Sequence, residues 1–185
     1  MEIAIALCLG IALSAGCGFR VFVPPLIMSL AAMYGDFPLS SDFAWLGTPE
    51  AAIALSIATI LEILAYYIPF VDNLLDTVEV PAAVAIGTTL TAATLGGNDP
   101  LLQWTLAAIA GGGTAGIVGT LTSVTRLTST GVSGGLGNFI VATIEAIGSI
   151  SLSVLGLTFP LWTAIILLFA LVIVISFFPF LKNSR

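Results

Sequence analysis

Histidine is absent from the 185-residue chain. That removes imidazole-ligated zinc, haem held by an imidazole, and every mechanism that needs an imidazole base. Cysteine is almost absent. Cys8 and Cys17 both fall in the first apolar stretch without C-x-x-C spacing, so they read as small apolar thiols, with no disulfide framework or metal cluster between them. Basic residues are scarce: four Lys and Arg stand against ten Asp and Glu, for a net charge of −6. A chain so poor in cations has nothing with which to neutralise phosphates, which excludes nucleic acid as a partner. Charge of either sign is rare as well. Only 8% of residues are charged, where soluble domains carry about 25%. With 58% hydrophobic residues and a mean hydropathy of +1.17, the chain can neither cover a globule with a wettable surface nor stay disordered. It reads as an integral membrane protein whose first partner is the lipid bilayer. No cofactor is expected.

Long apolar runs are what the chain does have. A membrane-spanning helix needs about 20 mostly apolar residues. The chain holds six apolar runs. The first, Ile3 to Tyr34, is over-long and interrupted by Ala15-Gly16-Cys17-Gly18-Phe19-Arg20 and by Pro24-Pro25. A polar loop with Asp36 and Asp42 follows, to Thr48. The second run is Pro49 to Val71. The third starts at Pro81, a residue suited to a first helical turn, and ends near Leu95; being short and Thr-rich, it leaves open whether residues 81–95 fully span. The fourth, Leu101 to Thr125, is broken by Gly111-Gly112-Gly113. The Gly/Ser/Thr stretch Thr128 to Asn138 reads as a flexible or re-entrant loop. The fifth run is Phe139 to Leu157, and the sixth is Leu161 to Leu181.

Leu13-Ser14-Ala15-Gly16-Cys17 hints at a processing site. A secretory signal opens on a basic region, whereas here Glu2 stands second and no cation precedes Arg20, so the first run is expected to be retained. Lys182 and Arg185 place the C-terminus on the cytoplasmic side by the positive-inside rule. Six spans then put the N-terminus there too, and the loop with Arg126 with it. The expected location is an inner, plasma or thylakoid-type membrane.

Two short matches suggest an internal repeat. Ala15-Gly16-Cys17-Gly18 resembles Ala110-Gly111-Gly112-Gly113, and Ile57-Ala58-Thr59-Ile60-Leu61-Glu62 resembles Val141-Ala142-Thr143-Ile144-Glu145, in the same order. The halves are residues 1–97 and 98–185. Three segments each is an odd number, so the second half would be inverted across the membrane. Interrupted segments at corresponding positions of inverted halves point to a secondary-transporter site. Exposed backbone at membrane depth is tolerated only where protein or a watery cavity satisfies it. Gly16, Gly18, Gly111, Gly112 and Gly113 are therefore candidate site residues. The plainer alternative is small-residue helix packing.

Ionisable residues at membrane depth are functional candidates because they are costly there. Arg20, Glu62 and Glu145 qualify. The simplest pairing joins Arg20 to one Glu and leaves the other carboxylate unpaired, ready to carry a proton or meet a cation; the alternative is an ion pair that locks segments together. Asp72, Asp76 and Glu79, spaced by four and then three, share one helical face. They read as a short amphipathic element at the cytoplasmic surface, either a solvated face or a site for a hard cation. Which metal, if any, the spacing leaves open.

Enzyme motifs are missing. Gly131-Val132-Ser133-Gly134 matches the G-x-S-G of intramembrane serine proteases but lacks its imidazole base, and Gly96-Gly97-Asn98-Asp99 is a near miss to the G-x-G-D of intramembrane aspartyl proteases. No enzyme is expected.

Gly18-Phe19-Arg20-Val21-Phe22-Val23-Pro24-Pro25 and Ile68-Pro69-Phe70-Val71-Asp72-Asn73-Leu74-Leu75-Asp76, followed by Pro81-Ala82, resemble a family of small polytopic membrane proteins of unknown function found in bacteria, cyanobacteria and plants. The resemblance covers most of the chain. It implies membrane location, brings no activity, and puts Arg20, Asp72 and Asp76 inside recognisable motifs.

The expected architecture is thus all-α and polytopic, with six transmembrane segments in two inverted three-helix repeats and some helices broken or re-entrant. One copy is small for a transport path, which favours a homodimer. The functional expectation is a secondary transporter of an ion or small solute, proton- or cation-coupled, with Glu62 and Glu145 as coupling carboxylates and Arg20 as counter-charge or anion ligand. The alternatives are an ion channel or pore lined by the same residues, and a non-transporting scaffold or assembly subunit.

Overall fold

The computed structural model describes residues 2–35, 37–68, 71–96 and 99–183. Asp36, Pro69 and Phe70 of the second motif, Gly97 and Asn98 at the expected boundary between halves, and Arg185 lie outside them. All regular structure among the described residues is helical.

The first apolar run divides as its glycines and prolines foretell. Helix α1 (Ile3–Cys17) stops at Gly18, and α2 (Val23–Tyr34) starts with Pro24 and Pro25 in its first turn, where a missing N–H is harmless. At 1.5 Å per residue, the 15 residues of α1 reach about 22 Å, short of the ~30 Å hydrocarbon core. A 3₁₀ turn (Ser41–Gly47) leads into α3 (Pro49–Ala65), capped by the Thr48 side chain, which accepts from the Ala51 N–H.

The third run departs from expectation. It does not begin at Pro81. Helix α4 (Val71–Leu95) starts ten residues earlier and runs through that proline, so the acidic trio belongs to a long helix and not to a separate surface element. Packing of α4 against α1 and α6 overrides the break that proline tends to cause. The fourth run is not broken by its glycines either. Helix α5 (Pro100–Leu106), capped by Asp99, passes into a π-helical turn (Ala107–Gly112) and on into α6 (Gly113–Ser133) without interruption. The expected loop from Thr128 is helical to Ser133, and the chain turns only at Gly134 and Gly135, whose φ of 62° and 91° favour glycine. Helix α7 (Asn138–Thr158) and α8 (Pro160–Asn183) match the fifth and sixth runs.

Three helical stretches are long and apolar enough to cross a membrane: Leu74–Leu95, Pro100–Ser133 and Asn138–Thr158. The 3₁₀ turn and α3, bent by 68°, make a fourth if counted as one span. Length and composition therefore single out three to four crossing helices among the described residues, where six were expected.

Helix α1 is the centre, packed on α4, α6, α7, α8 and the π turn. The helices face inward with small and polar residues. On α7 the buried positions are Asn138, Ala142, Glu145, Ser149, Ser153 and Gly156, at helical spacing, while Ile140, Ile144, Ile147 and Val154 are exposed. Large apolar residues outside and small or polar ones inside are what lipid demands, since lipid tails offer no hydrophobic drive for helices to associate. Interhelical hydrogen bonds supply part of the cohesion. Ser14 donates to the Gly87 carbonyl at 2.8 Å, Thr94 to that of Ala6 at 3.0 Å, and Gln103 to that of Ala92 at 2.7 Å. Such bonds contribute about 0.6–2 kcal/mol each in membranes.

Candidate functional site

The break between α1 and α2 exposes backbone groups inside the bundle, and side chains from three helices satisfy them. Glu62 on α3 accepts from the Val21 N–H at 2.6 Å and the Phe22 N–H at 3.0 Å. Thr59, one turn earlier, donates to the Phe22 carbonyl at 3.1 Å. Ser149 on α7 donates to the Gly16 carbonyl at 2.8 Å and Thr122 on α6 to that of Gly18 at 3.2 Å. A carboxylate at the first amides of α2 also meets the positive end of its dipole.

The two candidate glycines of this break are needed for close approach. A Cβ on Gly16 would lie 2.9 Å from Pro24 Cγ, and one on Gly18 only 2.6 Å from Val118 Cβ and 2.8 Å from the Gly119 nitrogen. Gly111 and Gly112 lie against Thr91 and Thr88 of α4, whereas Gly113 meets nothing within 4 Å. Gly111 and Gly112 mark a packing seam at the end of the π turn, a feature often found at functional sites.

Arg20 emerges from the break into a buried cluster of charge. Its guanidinium lies 3.2 Å from Glu145 and 3.9 Å from Glu79, and it donates to the Ala142 carbonyl at 2.9 Å. Arg126 of α6 joins it. Its Nε donates to Glu145 Oε1 at 3.1 Å, its Nη2 pairs with Glu145 Oε2, and its Nε lies 3.6 Å from Asp76. Both guanidiniums rest on the Tyr66 ring, with Cζ at 3.8 Å and 4.1 Å from its centroid. Arg20, Arg126, Glu79, Glu145 and Tyr66 are all buried.

The pairing thus differs from the simplest expectation. Arg20 does meet Glu145, but Glu62 is not left without partners; it holds the backbone of the break. Glu145 is shared by two arginines. The acidic trio is not a solvated face, for Asp72 and Glu79 are buried. Although on one face of α4, the three serve separate contacts: Asp72 accepts from Asn138 at 3.1 Å, Asp76 faces Arg126, and Glu79 faces Arg20. Among the described residues, no three acidic or thiol side chains gather closely enough to hold a metal ion.

Glu79 is the least satisfied member. Neither carboxylate oxygen has a hydrogen-bond partner, although the side chain is 1% exposed. It borders a cavity of about 420 Å³, and so do Glu62, Tyr66, Phe22, Leu75 and Val78. The two arginines meet three acids, Asp76, Glu79 and Glu145, and Glu62 borders the same cavity, so acids outnumber cations there.

Arg126, Tyr66 and Asn138 were not among the residues singled out from sequence. From sequence, Arg126 reads as a loop residue that bears on orientation alone. Its signal was available: like Arg20, it is one of two arginines far from the C-terminus, with apolar residues at helical spacing on its N-terminal side. Asn138 donates to Asp72 and, at 3.0 Å, to Thr130, beside a smaller cavity of about 130 Å³.

Residues 7–179 match the family described as Domain of unknown function (DUF4126), and the chain belongs to it. This agrees with the resemblance carried by the two motifs. No curated protein and no solved structure matches the chain.

Proposed function

We propose that this member of the DUF4126 family is a secondary transporter of a small cationic solute or ion, coupled to protons or to a second cation. The reading is carried by one observation: a cavity of about 420 Å³ bordered by two carboxylates, Glu62 and Glu79, of which Glu79 has no hydrogen-bond partner. Buried acids without hydrogen bonds are costly in lipid, and ionisable groups there mark ion and substrate paths.

Within this reading the roles are divided. Glu79 and Glu62 face the cargo. Glu145 holds Arg20 and Arg126, and those guanidiniums fix the charge against which the cargo is balanced. The break at Gly16–Arg20 gives α1 and α2 a place to hinge, and the π turn gives α5 and α6 another. Two inverted three-segment halves belong to this reading on the sequence matches alone; Glu62 and Glu145 both meet the first break, Glu62 through Val21 and Phe22 and Glu145 through Arg20. A homodimer with cytoplasmic termini completes the reading, since one copy is small for an alternating path.

Reconstitution tests it. Purified protein in proteoliposomes is expected to move a cation down an imposed gradient, with saturation, among H⁺, Na⁺, K⁺, divalent cations and organic monocations. Glu79→Gln and Glu62→Gln are expected to lower that flux about tenfold or more, the scale of a lost group at a transport or reaction centre. Unsaturable, ohmic conductance would favour a channel instead. No flux of any of these ions would contradict transport and favour a scaffold.

A further inference from the structure

The cavity beside Glu79 also says what kind of cation belongs there, and this inference rests on the reading of that cavity as a cargo site. Its walls are unlike those of an inorganic-ion site. Apart from Glu62, Glu79 and the Tyr66 phenol, the lining is Val21, Phe22, Leu75, Val78 and neighbouring apolar residues. Na⁺ or K⁺ in place of its hydration shell needs several oxygen ligands. Here the carboxylates do not gather: no three acidic groups among the described residues come together as a metal site, and both Glu62 oxygens already accept backbone N–H groups. A cavity of about 420 Å³ is also far larger than a bare ion and lies within the ~300–1,000 Å³ typical of small-molecule pockets.

We propose that the cavity between α3 and α4 binds an organic monocation with an apolar body, a protonated or quaternary amine, with its charged head at Glu79 and its apolar part against Phe22, Leu75 and Val78. Acids outnumber cations around the cavity, and both Glu79 oxygens lack hydrogen bonds. The head supplies a positive charge, and the body desolvates against the aliphatic wall. An amine of this class gives Glu79 the charged partner that Arg20, 3.9 Å away, supplies only loosely.

Proton and cation then compete for one carboxylate. The charged and titratable groups that face Glu79 are Arg20 from the α1–α2 break, Glu62 and Tyr66 from α3 and its end, Asp76 from its own helix, Arg126 from α6 and Glu145 from α7. Two of these are fixed cations already engaged by Glu145, so a proton taken up at Glu79 removes the charge that attracts the amine. Binding releases that proton to water, and this exchange is the elementary step of a proton antiporter.

The test is calorimetric binding to the full chain in detergent, with benzyltrimethylammonium as probe and benzyl alcohol and benzoate as neutral and anionic controls of similar shape. The ammonium is expected to bind, the two controls not, and affinity is expected to fall as the buffer is acidified. Glu79→Gln is expected to bind about thirtyfold more weakly or worse, as for the loss of one partner of a buried charge pair. If that variant does not fold, Ala82→Leu carries the test, because it narrows the cavity without altering charge; it is expected to weaken benzyltrimethylammonium more than tetramethylammonium. Equal binding of the neutral control, unchanged affinity in folded Glu79→Gln, or no binding of any organic cation overturns the inference. Flux of inorganic cations that persists without amine binding would overturn it and leave the transport reading standing. Amine binding without flux would do the reverse.

Discussion

Glu145 and Glu79 are both buried acids, one on each side of Arg20, yet their substitutions are expected to differ. Among the described residues, Glu145 is the one acid that forms an ion pair with each arginine. Removing one partner of a buried pair leaves uncompensated charge and costs about 3–5 kcal/mol. Glu145→Gln is therefore expected to lower unfolding stability in detergent by that order, read from denaturant or thermal melts, and to expose the Tyr66 ring now covered by two guanidiniums. Glu79→Gln replaces a carboxylate that has no hydrogen bonds to lose and is expected to leave the melt within about 1 kcal/mol of the natural protein. Similar losses in the two variants would contradict the division of roles. At this scale the sequence was legible wherever an ionisable residue stood alone among apolar ones: Arg20, Glu62 and Glu145 all prove to be engaged inside the bundle. Glu79 and Arg126 were harder to read. Each lies next to polar neighbours, Asp76 and Thr77 in one case, Thr125 and Thr128 in the other, and polarity in a chain is a sign of water only where a helix does not turn it inward.

The break between α1 and α2 is the element on which the site depends, because it carries Arg20 into the bundle and presents Val21 and Phe22 to Glu62. Gly18→Val is expected to disrupt it, since a Cβ there would meet both a side chain and the backbone of α6 within 2.8 Å. The shift required costs on the order of 1–3 kcal/mol as overpacking. Gly113→Ala, by contrast, meets nothing within 4 Å and is expected to be neutral or to stabilise the helix by up to about 1 kcal/mol. Yield and thermal midpoint of the two variants in one detergent give the comparison. Equal damage in both would mean that Gly113 packs against something other than its own bundle, a second copy first of all. The first glycine cluster was legible as a break because Pro24 and Pro25 follow within a few residues and start a new helix. The second was not. Gly111 to Gly113 stand alone, with helical sequence on both sides, and the missing side chains of Gly111 and Gly112 serve the approach of α4 and a widened turn. Pro81 misled for a related reason: inside a bundle, neighbouring helices compensate a missing hydrogen bond that would end a helix in water.

For the whole molecule, composition alone was enough to place the chain in a membrane, and the inside-out pattern of α7 follows from that solvent. The count of crossings was less legible. An apolar run shows that residues avoid water. Whether they cross the bilayer or double back within it depends on packing around α1, and α1 and α2 are each short of a full crossing. The net charge of −6, with two of its four cations locked in the bundle, fits the proposed binding of a cation where acids outnumber the chain's own guanidiniums. The most direct test of that claim follows internal pH in proteoliposomes while an outward or inward gradient of an organic monocation is imposed. The account predicts proton movement opposite to the cation, saturable in cation and abolished in Glu79→Gln protein that elutes as the same oligomer. Absence of proton movement in the natural protein, or the same movement in that variant, would contradict it.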